Sequence, residues 1–426
     1  MPNRPHSSIQ GNILKGFARK YAKYLILRFD QGDAKERRTK LAGILESHVT
    51  SAWRQAEITE VWRQTGASAP VGMFGLSYSG YRELGLASQA PKDRSLGGRL
   101  LESTMKRPIS YRNPDISLWE QGYADRIDAF LLLADDDEER LGNTVTAVRD
   151  AIGEIATITV QEHGCKLTAD QGDGSVEVEH FGFRDQLSGS VDPETILTPE
   201  NEQDPDSGLG CFAVFMKLEQ HVEEFNRRLT ELASIYSKMH APVRQRDVGA
   251  MVMGRYKNGV PLATLRGDLD SFDFRDDAAG DKCPLQAHIR VMNPRDGKPP
   301  IPIVRRGMSY GSPEVGAAAP ARGLLFLALH RSLLEFLGLM SRALVLRDPI
   351  LASSVDWNPE GTETTHCTHG VRAQRWKAGD AEVCYPFADV TTLRGGEFFY
   401  VPSMDFLRGL GALPDPGAGA PPIQPG

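Results

Sequence analysis

"CFAVFMKLEQHVEEFNRRL", residues 211–229, passes from an apolar, strand-like stretch directly into a helical one, and that order recurs along the chain. On its N-terminal side, "YAKYLILRFD" (21–30) is rich in aromatic and branched residues, and Leu41, Ile44, Leu45 and Val49 then recur at helical spacing. "RIDAFLLLADD" (126–136) reads as a second buried strand, after which the acidic run Asp135 to Glu139 opens a helix carrying Leu141, Val145 and Val148. Strand-like stretches around Ile158 to Val160 and at "VEVEHFGF" (176–183) complete a first half. On the C-terminal side the pattern returns in "GLLFLALHRSLLEFLGLM" (323–340), with "GGEFFYVPS" (395–403) as a late strand. The pattern predicts an α+β fold of two related halves, each a sheet with helices packed on one face.

Between the halves, "SGSVDPETILTPENEQDPDSGLG" (188–210) is polar and rich in Pro, Gly and acid, as a linker or long surface loop is. The expected division is therefore 1–205, 206–412 and a tail at 413–426, where "LPDPGAGAPPIQPG" has nothing to build a core from.

Composition narrows the function classes. The chain has 426 residues, 40% hydrophobic and 25% charged, with no apolar run near the roughly 18 residues that a membrane helix needs. A net charge of −7, from 49 basic and 56 acidic residues, gives no support to a nucleic-acid or anionic-membrane partner. "MPNRPHSSIQGNILKG" at the N-terminus lacks the basic start and apolar core of a secretory signal. Five scattered cysteines without a CxxC pair argue for reduced thiols, so a cytoplasmic location is expected and disulfides are not expected to shape the fold.

Three polar residues stand in suggestive places. His288 lies in "CPLQAHIRVMNPR" (283–295), a stretch with too few apolar residues for ordinary core, and Arg305 and Arg306 follow in "IVRRGMSYG" (303–311). Asp185, in "EHFGFRDQLSG" (179–189), comes just past an apolar strand. Singly, each has a plain reading: a satisfied histidine, a solvated arginine pair, a turn-forming aspartate.

Together they belong to a longer series: "IQGNILKG" (9–16), "HFGFRD" (180–185), "MGRYKNGVPL" (253–262), "KCPLQAHIRVMNPR" (282–295), "VRRGMSYG" (304–311) and "TLRGGEFFYVPS" (392–403). In content and order these resemble the signature segments of the dye-decolorizing peroxidase family. The resemblance implies two ferredoxin-like halves, with haem b held mainly by the second and roofed by a loop of the first. It implies that His288 is the proximal ligand of the iron, Asp185 the distal proton shuttle and Arg305 the distal arginine, with Arg255 and Gln186 also on the cofactor side. Hydrogen peroxide and an aromatic or other bulky reductant would be the substrates; a homo-oligomer or an encapsulating shell stays open. The alternatives are a haem-binding or haem-delivery protein with weak turnover, and an interaction module that has lost its cofactor.

Two departures from the family pattern stand out. Gln186 replaces the glycine that usually follows the aspartate, so it either strains the backbone or brings its amide into the pocket. The helix in "LALHRSLLEFLGLM" (327–340) lacks the family's polar and aromatic pattern, so the pocket wall is expected to differ there. "THCTHG" (365–370) with Cys384, the acidic run at 135–139, and Trp357, Trp376 and Tyr400 suggest zinc, a cation and electron relay respectively. A chance surface cluster, a solvated helix start and packing aromatics are the plainer and preferred readings.

Overall fold

The computed structural model describes residues 6–93, 105–106, 116–170, 174–185, 192–201, 204, 207–239, 245–264, 269, 272–295, 303–313, 321–351, 374–378 and 381–413. The first half runs β1 (Tyr21–Phe29), α1 (Ala34–His48), α2 (Ala52–Thr65), β2 (Val71–Leu76), α3 (Tyr78–Glu83), β3 (Ala129–Asp135), α4 (Glu138–Ile152) and β4 (Ala156–Cys165). Local chemistry sets these limits. Asp33 and Asp137 cap α1 and α4 by accepting from the amides of Glu36 and Arg140. Leu141, Val145, Val148 and Ile152 bury one face of α4, as their spacing predicts. The acids before α4 are used internally: Asp135 is buried and pairs with Arg140 at 2.7 Å.

A hairpin of β5 (Leu167–Asp170) and β6 (Ser175–Val178) follows. The strand expected over 176–183 thus ends at Val178, because Glu179 begins a turn that Gly182 completes at φ 85°. The polar stretch beyond it is not a free linker where described, since β7 (Thr198–Pro199) pairs with the start of β8 (Leu209–Gln220).

The second half continues with α5 (Val222–Met239), α6 (Gln245–Met253), α7 (His288–Met292), β9 (Val304–Arg305), β10 (Met308–Tyr310), β11 (Gly323–His330), α8 (Leu333–Val345), β12 (Gln374–Ala378), β13 (Ala381–Tyr385), β14 (Thr391–Val401) and α9 (Met404–Gly409). Strand order is β2-β3-β1-β4 in the first half and β10-β11-β8-β14 in the second, all antiparallel.

The two sheets join. Tyr400 of β14 pairs with Leu76 of β2, and Tyr310 of β10 pairs with Gly164 of β4, closing eight strands into a ring. Closure leaves no open edges between the halves. At the first seam the side chain of Gln10 bonds three backbone groups, donating to Phe74 O (3.0 Å) and Pro402 O (2.8 Å) and accepting from Phe74 N (2.9 Å). That is the structural work of the "IQGNILKG" segment.

Strand alternation then sorts β8. Phe215 faces the barrel interior, where it meets Tyr24 of the non-neighbouring β1 at 5.6 Å, and Lys217 on the same face bridges Glu120 (2.7 Å) and Glu162 (2.8 Å). Met216, Leu218 and Gln220 point the other way, toward a cavity under the helices of the second half.

One expectation fails. Cys165, Cys211 and Cys283 are free thiols, but Cys384 is disulfide-bonded. Odd count and wide spacing describe the chain, whereas a bridge needs only that folding bring two Cα atoms within about 7 Å. Among the described residues no helix is long and apolar enough to cross a membrane.

Candidate active site

The cavity has a volume of about 280 Å³ and is mostly apolar. Met216 and Leu218 of β8 and Leu324 and Phe326 of β11 line it from the sheet, Met253 of α6 and Met340 of α8 from the helices. The unusual apolar pattern of α8 is therefore partly cavity wall.

His288, the first residue of α7, lines the same space. Its Nδ1 lies 2.9 Å from Oδ2 of Asp348, a carboxylate that is completely buried. Asp348 follows the end of α8, where Arg347 turns left-handed at φ 56° and the Asp348 amide bonds back to Ala343 O at 2.8 Å. Its other oxygen accepts from the amides of Ile350 (2.8 Å) and Leu351 (3.1 Å). With Oδ1 held by two amides, Oδ2 is fixed on the imidazole. Nε2 of His288 has no hydrogen-bond partner among the described residues.

Close packing seats α7. Gly254, at φ 85°, lies so near Ile289 that a Cβ there would stand 2.5 Å from Ile289 Cγ1, which explains the glycine of "MGRYKNGVPL". Arg290 is buried and donates to Asp277 Oδ2 (2.9 Å) and Cys283 O (2.6 Å), tying down the loop that precedes His288.

Asp185 and Arg305 line the cavity too, and they form an ion pair with Nη1–Oδ1 of 3.4 Å. Arg305 is placed by β9, where it pairs with Ala328 of β11. Asp185 donates its amide to Glu177 O (2.9 Å), and its neighbour Arg184 donates to Lys257 O (3.0 Å). Arg255 is a further lining residue, with Nη1 donating to the carbonyls of Gly259 (2.8 Å) and Leu269.

Four residues singled out from sequence, His288, Asp185, Arg305 and Arg255, thus meet at one cavity. Gln186, the "THCTHG" cluster and Trp357 lie outside the described residues. Trp376 and Tyr400 are fully buried, hydrogen-bonded to Tyr385 O (3.1 Å) and Thr198 O (2.9 Å), and do not line the cavity. Sequence reasoning missed Asp348, which nothing distinguishes from any aspartate after a helix. It also missed Glu179, a half-buried carboxyl group lining the cavity, whose signal was its place immediately before "HFGFRD".

The donor set suits a haem: one imidazole nitrogen backed by a carboxylate, apolar walls for the macrocycle, and guanidinium groups for its carboxylates. Comparison with known proteins agrees. The model of the DyP-type peroxidase C-terminal region matches residues 188–350. The multifunctional dye peroxidase DyP2 of Amycolatopsis sp. is 30% identical, over 94% of this chain and 95% of that protein. Peroxidase 2 of Mycetinis scorodonius is 26% identical over 94% of this chain and 86% of its own length. The crystal structure of the Anabaena sp. DyP-type peroxidase superposes with a TM-score of 0.78 at 26% identity, covering 95% of this chain and 94% of that one. The relatives place the chain among the peroxidases, oxidoreductases of the haem-dependent class. Within that class, the chain belongs to the dye-decolorizing peroxidase family.

Proposed function

We propose that the chain binds haem b through Nε2 of His288 and reduces hydrogen peroxide there, drawing electrons one at a time from aromatic or other bulky reductants. The observation that carries this reading is the buried Asp348 carboxylate on Nδ1 of His288, at a cavity shared with the Asp185–Arg305 pair. When bound, the haem supplies an iron centre that accepts a peroxide oxygen and furnishes the two electrons that cleave the O–O bond.

The protein's own groups do the rest. Donation from Nδ1 to Asp348 leaves the Nε2 lone pair free, so His288 would hold the iron of a bound haem, and makes the ring a stronger donor. Asp185 takes a proton from one peroxide oxygen and returns it to the other. Arg305, always charged, stabilises the negative charge that develops on the departing oxygen. Arg255 and Arg305 offer cations to the haem carboxylates. Gln186 stands on the cofactor side by its position in the chain next to Asp185.

Each half is proposed to be ferredoxin-like, on the strand orders β2-β3-β1-β4 and β10-β11-β8-β14 with helices between, divided near residue 205. The three free thiols favour a reducing, cytoplasmic setting and the bridge at Cys384 opposes it. A homo-oligomer or a shell is a question for light scattering. Haem delivery without turnover is the weaker alternative, because Asp185 and Arg305 are kept together at the cavity.

Reconstitution with haem b tests the proposal. A Soret band that His288→Ala abolishes or shifts, and a rapid absorbance change on mixing with peroxide, are expected. An unaltered spectrum in His288→Ala would overturn the ligand assignment.

A further inference from the structure

The loop that carries Asp185 holds a second carboxyl group at the cavity, Glu179, for which the reaction above has no use. A carboxyl group turned away from bulk water toward an apolar cavity needs donors of its own. Glu179 has three. Phe181 N (2.8 Å) and Phe183 N (2.9 Å) come from its own turn, and Gln220 Nε2 (2.5 Å) comes from β8. Its backbone closes the same turn, accepting from Gly182 N at 2.8 Å and donating to Phe183 O at 3.1 Å. Beyond this staple only Arg184 separates Phe183 from Asp185.

We propose that Glu179 is the positioning residue of Asp185: by holding both turn amides and Gln220, it fixes the loop on β8 and sets where the Asp185 carboxyl stands beside Arg305. This rests on the reading of Asp185 as the proton-transfer group. The charged groups near Glu179 are Asp185 on its own loop and Lys257, whose Nζ lies 5.9 Å from the Phe183 ring centre. Arg322, close enough to act on neighbouring His180, is paired with Glu223. Burial, reinforced by the charge of Asp185, pushes the Glu179 carboxyl up to about 7. The group behind Asp185 is therefore neutral in acid and becomes an anion near neutrality.

The test uses the haem-loaded full chain, with amide hydrogen exchange over 181–185 as one readout and the pH profile of the peroxide rate constant as the other. Glu179→Ala is expected to speed exchange at Phe181 and Phe183 about ten-fold and to slow the peroxide reaction by about ten- to a hundred-fold, as a small misplacement of a reacting group does. Glu179→Gln keeps an acceptor but cannot ionise, so it loses less rate and loses any inflection near pH 7. Unchanged exchange and rate in Glu179→Ala, or an inflection surviving in Glu179→Gln, overturns the proposal. If Glu179→Ala fails to fold, Gln220→Leu, which removes only the β8 donor, is expected to shift both readouts the same way, and no shift counts against the proposal. Asp185→Asn separates the two claims: full rate there sinks the proton-transfer reading, whereas a slow Asp185→Asn beside a fast Glu179→Ala sinks only the positioning role.

Discussion

Asp348 and His288 are sixty residues apart in the chain and 2.9 Å apart in the fold, Oδ2 to Nδ1. Since Oδ1 is held by the amides of Ile350 and Leu351, the carboxylate cannot swing away, and the imidazole is fixed in both orientation and tautomer. The helix ends of α7 and α8 exist, in effect, to bring this pair together.

Asp348→Asn keeps the shape and removes the charge behind the ring. Haem affinity is expected to fall by about 10- to 100-fold, and the reduction potential to rise, because a less basic nitrogen stabilises the oxidised metal less. Competition with an apo-globin for haem and a spectroelectrochemical titration read the two effects. Parent-like values in both would reduce Asp348 to a helix cap.

Arg305→Leu removes the ion-pair partner of Asp185 at 3.4 Å and one of the fixed positive charges at the cavity. The peroxide rate constant is expected to drop by roughly 10²- to 10³-fold, with haem still bound through His288. Stopped-flow absorbance measures it. Loss of haem rather than of rate would instead assign Arg305 to anchoring the cofactor.

Much of this architecture was legible in the sequence because its causes are local. The spacing of Leu141, Val145 and Val148 dictates a one-faced helix, and the alternation through Phe215, Met216, Lys217 and Leu218 sends one set into the barrel and the other to the cavity. Closure of the ring was not legible. It depends on one residue pair at each seam and on the three bonds of Gln10, contacts between segments 64 to 392 residues apart. The same holds at the site: His288, Asp185 and Arg305 sit in motifs, whereas Asp348 is defined only by where α8 stops.

Glu397, on β14 away from the cavity, is fully buried and accepts from the amides of Met105 and Phe398, both at 2.9 Å. Burial pushes its carboxyl from 4.5 up to about 7. Between those values the folded chain keeps a proton that the unfolded chain has lost, so this group's contribution to stability is present below about pH 4.5 and is lost as pH rises through 7. Glu397→Gln keeps an acceptor for both amides and abolishes the titration. Relative to the parent, it is expected to gain up to about 3 kcal/mol as pH rises across that window. Urea unfolding at pH 4.5 and 7.5 gives the difference directly, and a constant offset at both would rule the group out.

His330, the last residue of β11, runs the opposite way. It is buried edge-on to Phe336 with ring centres 5.4 Å apart, and neither ring nitrogen has a hydrogen-bond partner among the described residues. Burial drives its imidazole from 6.5 down to about 3. As pH falls through that range the unfolded chain takes up a proton that the folded chain refuses, and stability drops by about 1.4 kcal/mol per pH unit. His330→Leu removes both the unsatisfied nitrogens and this acid liability. At pH 7.5 the variant is expected to be more stable than the parent by about 1–3 kcal/mol, and the margin should widen by about 2 kcal/mol on going from pH 6.5 to pH 5. A margin that stays flat with pH would mean that His330 finds a proton partner in the folded protein, and that the neutral, unpaired ring is the wrong description of it.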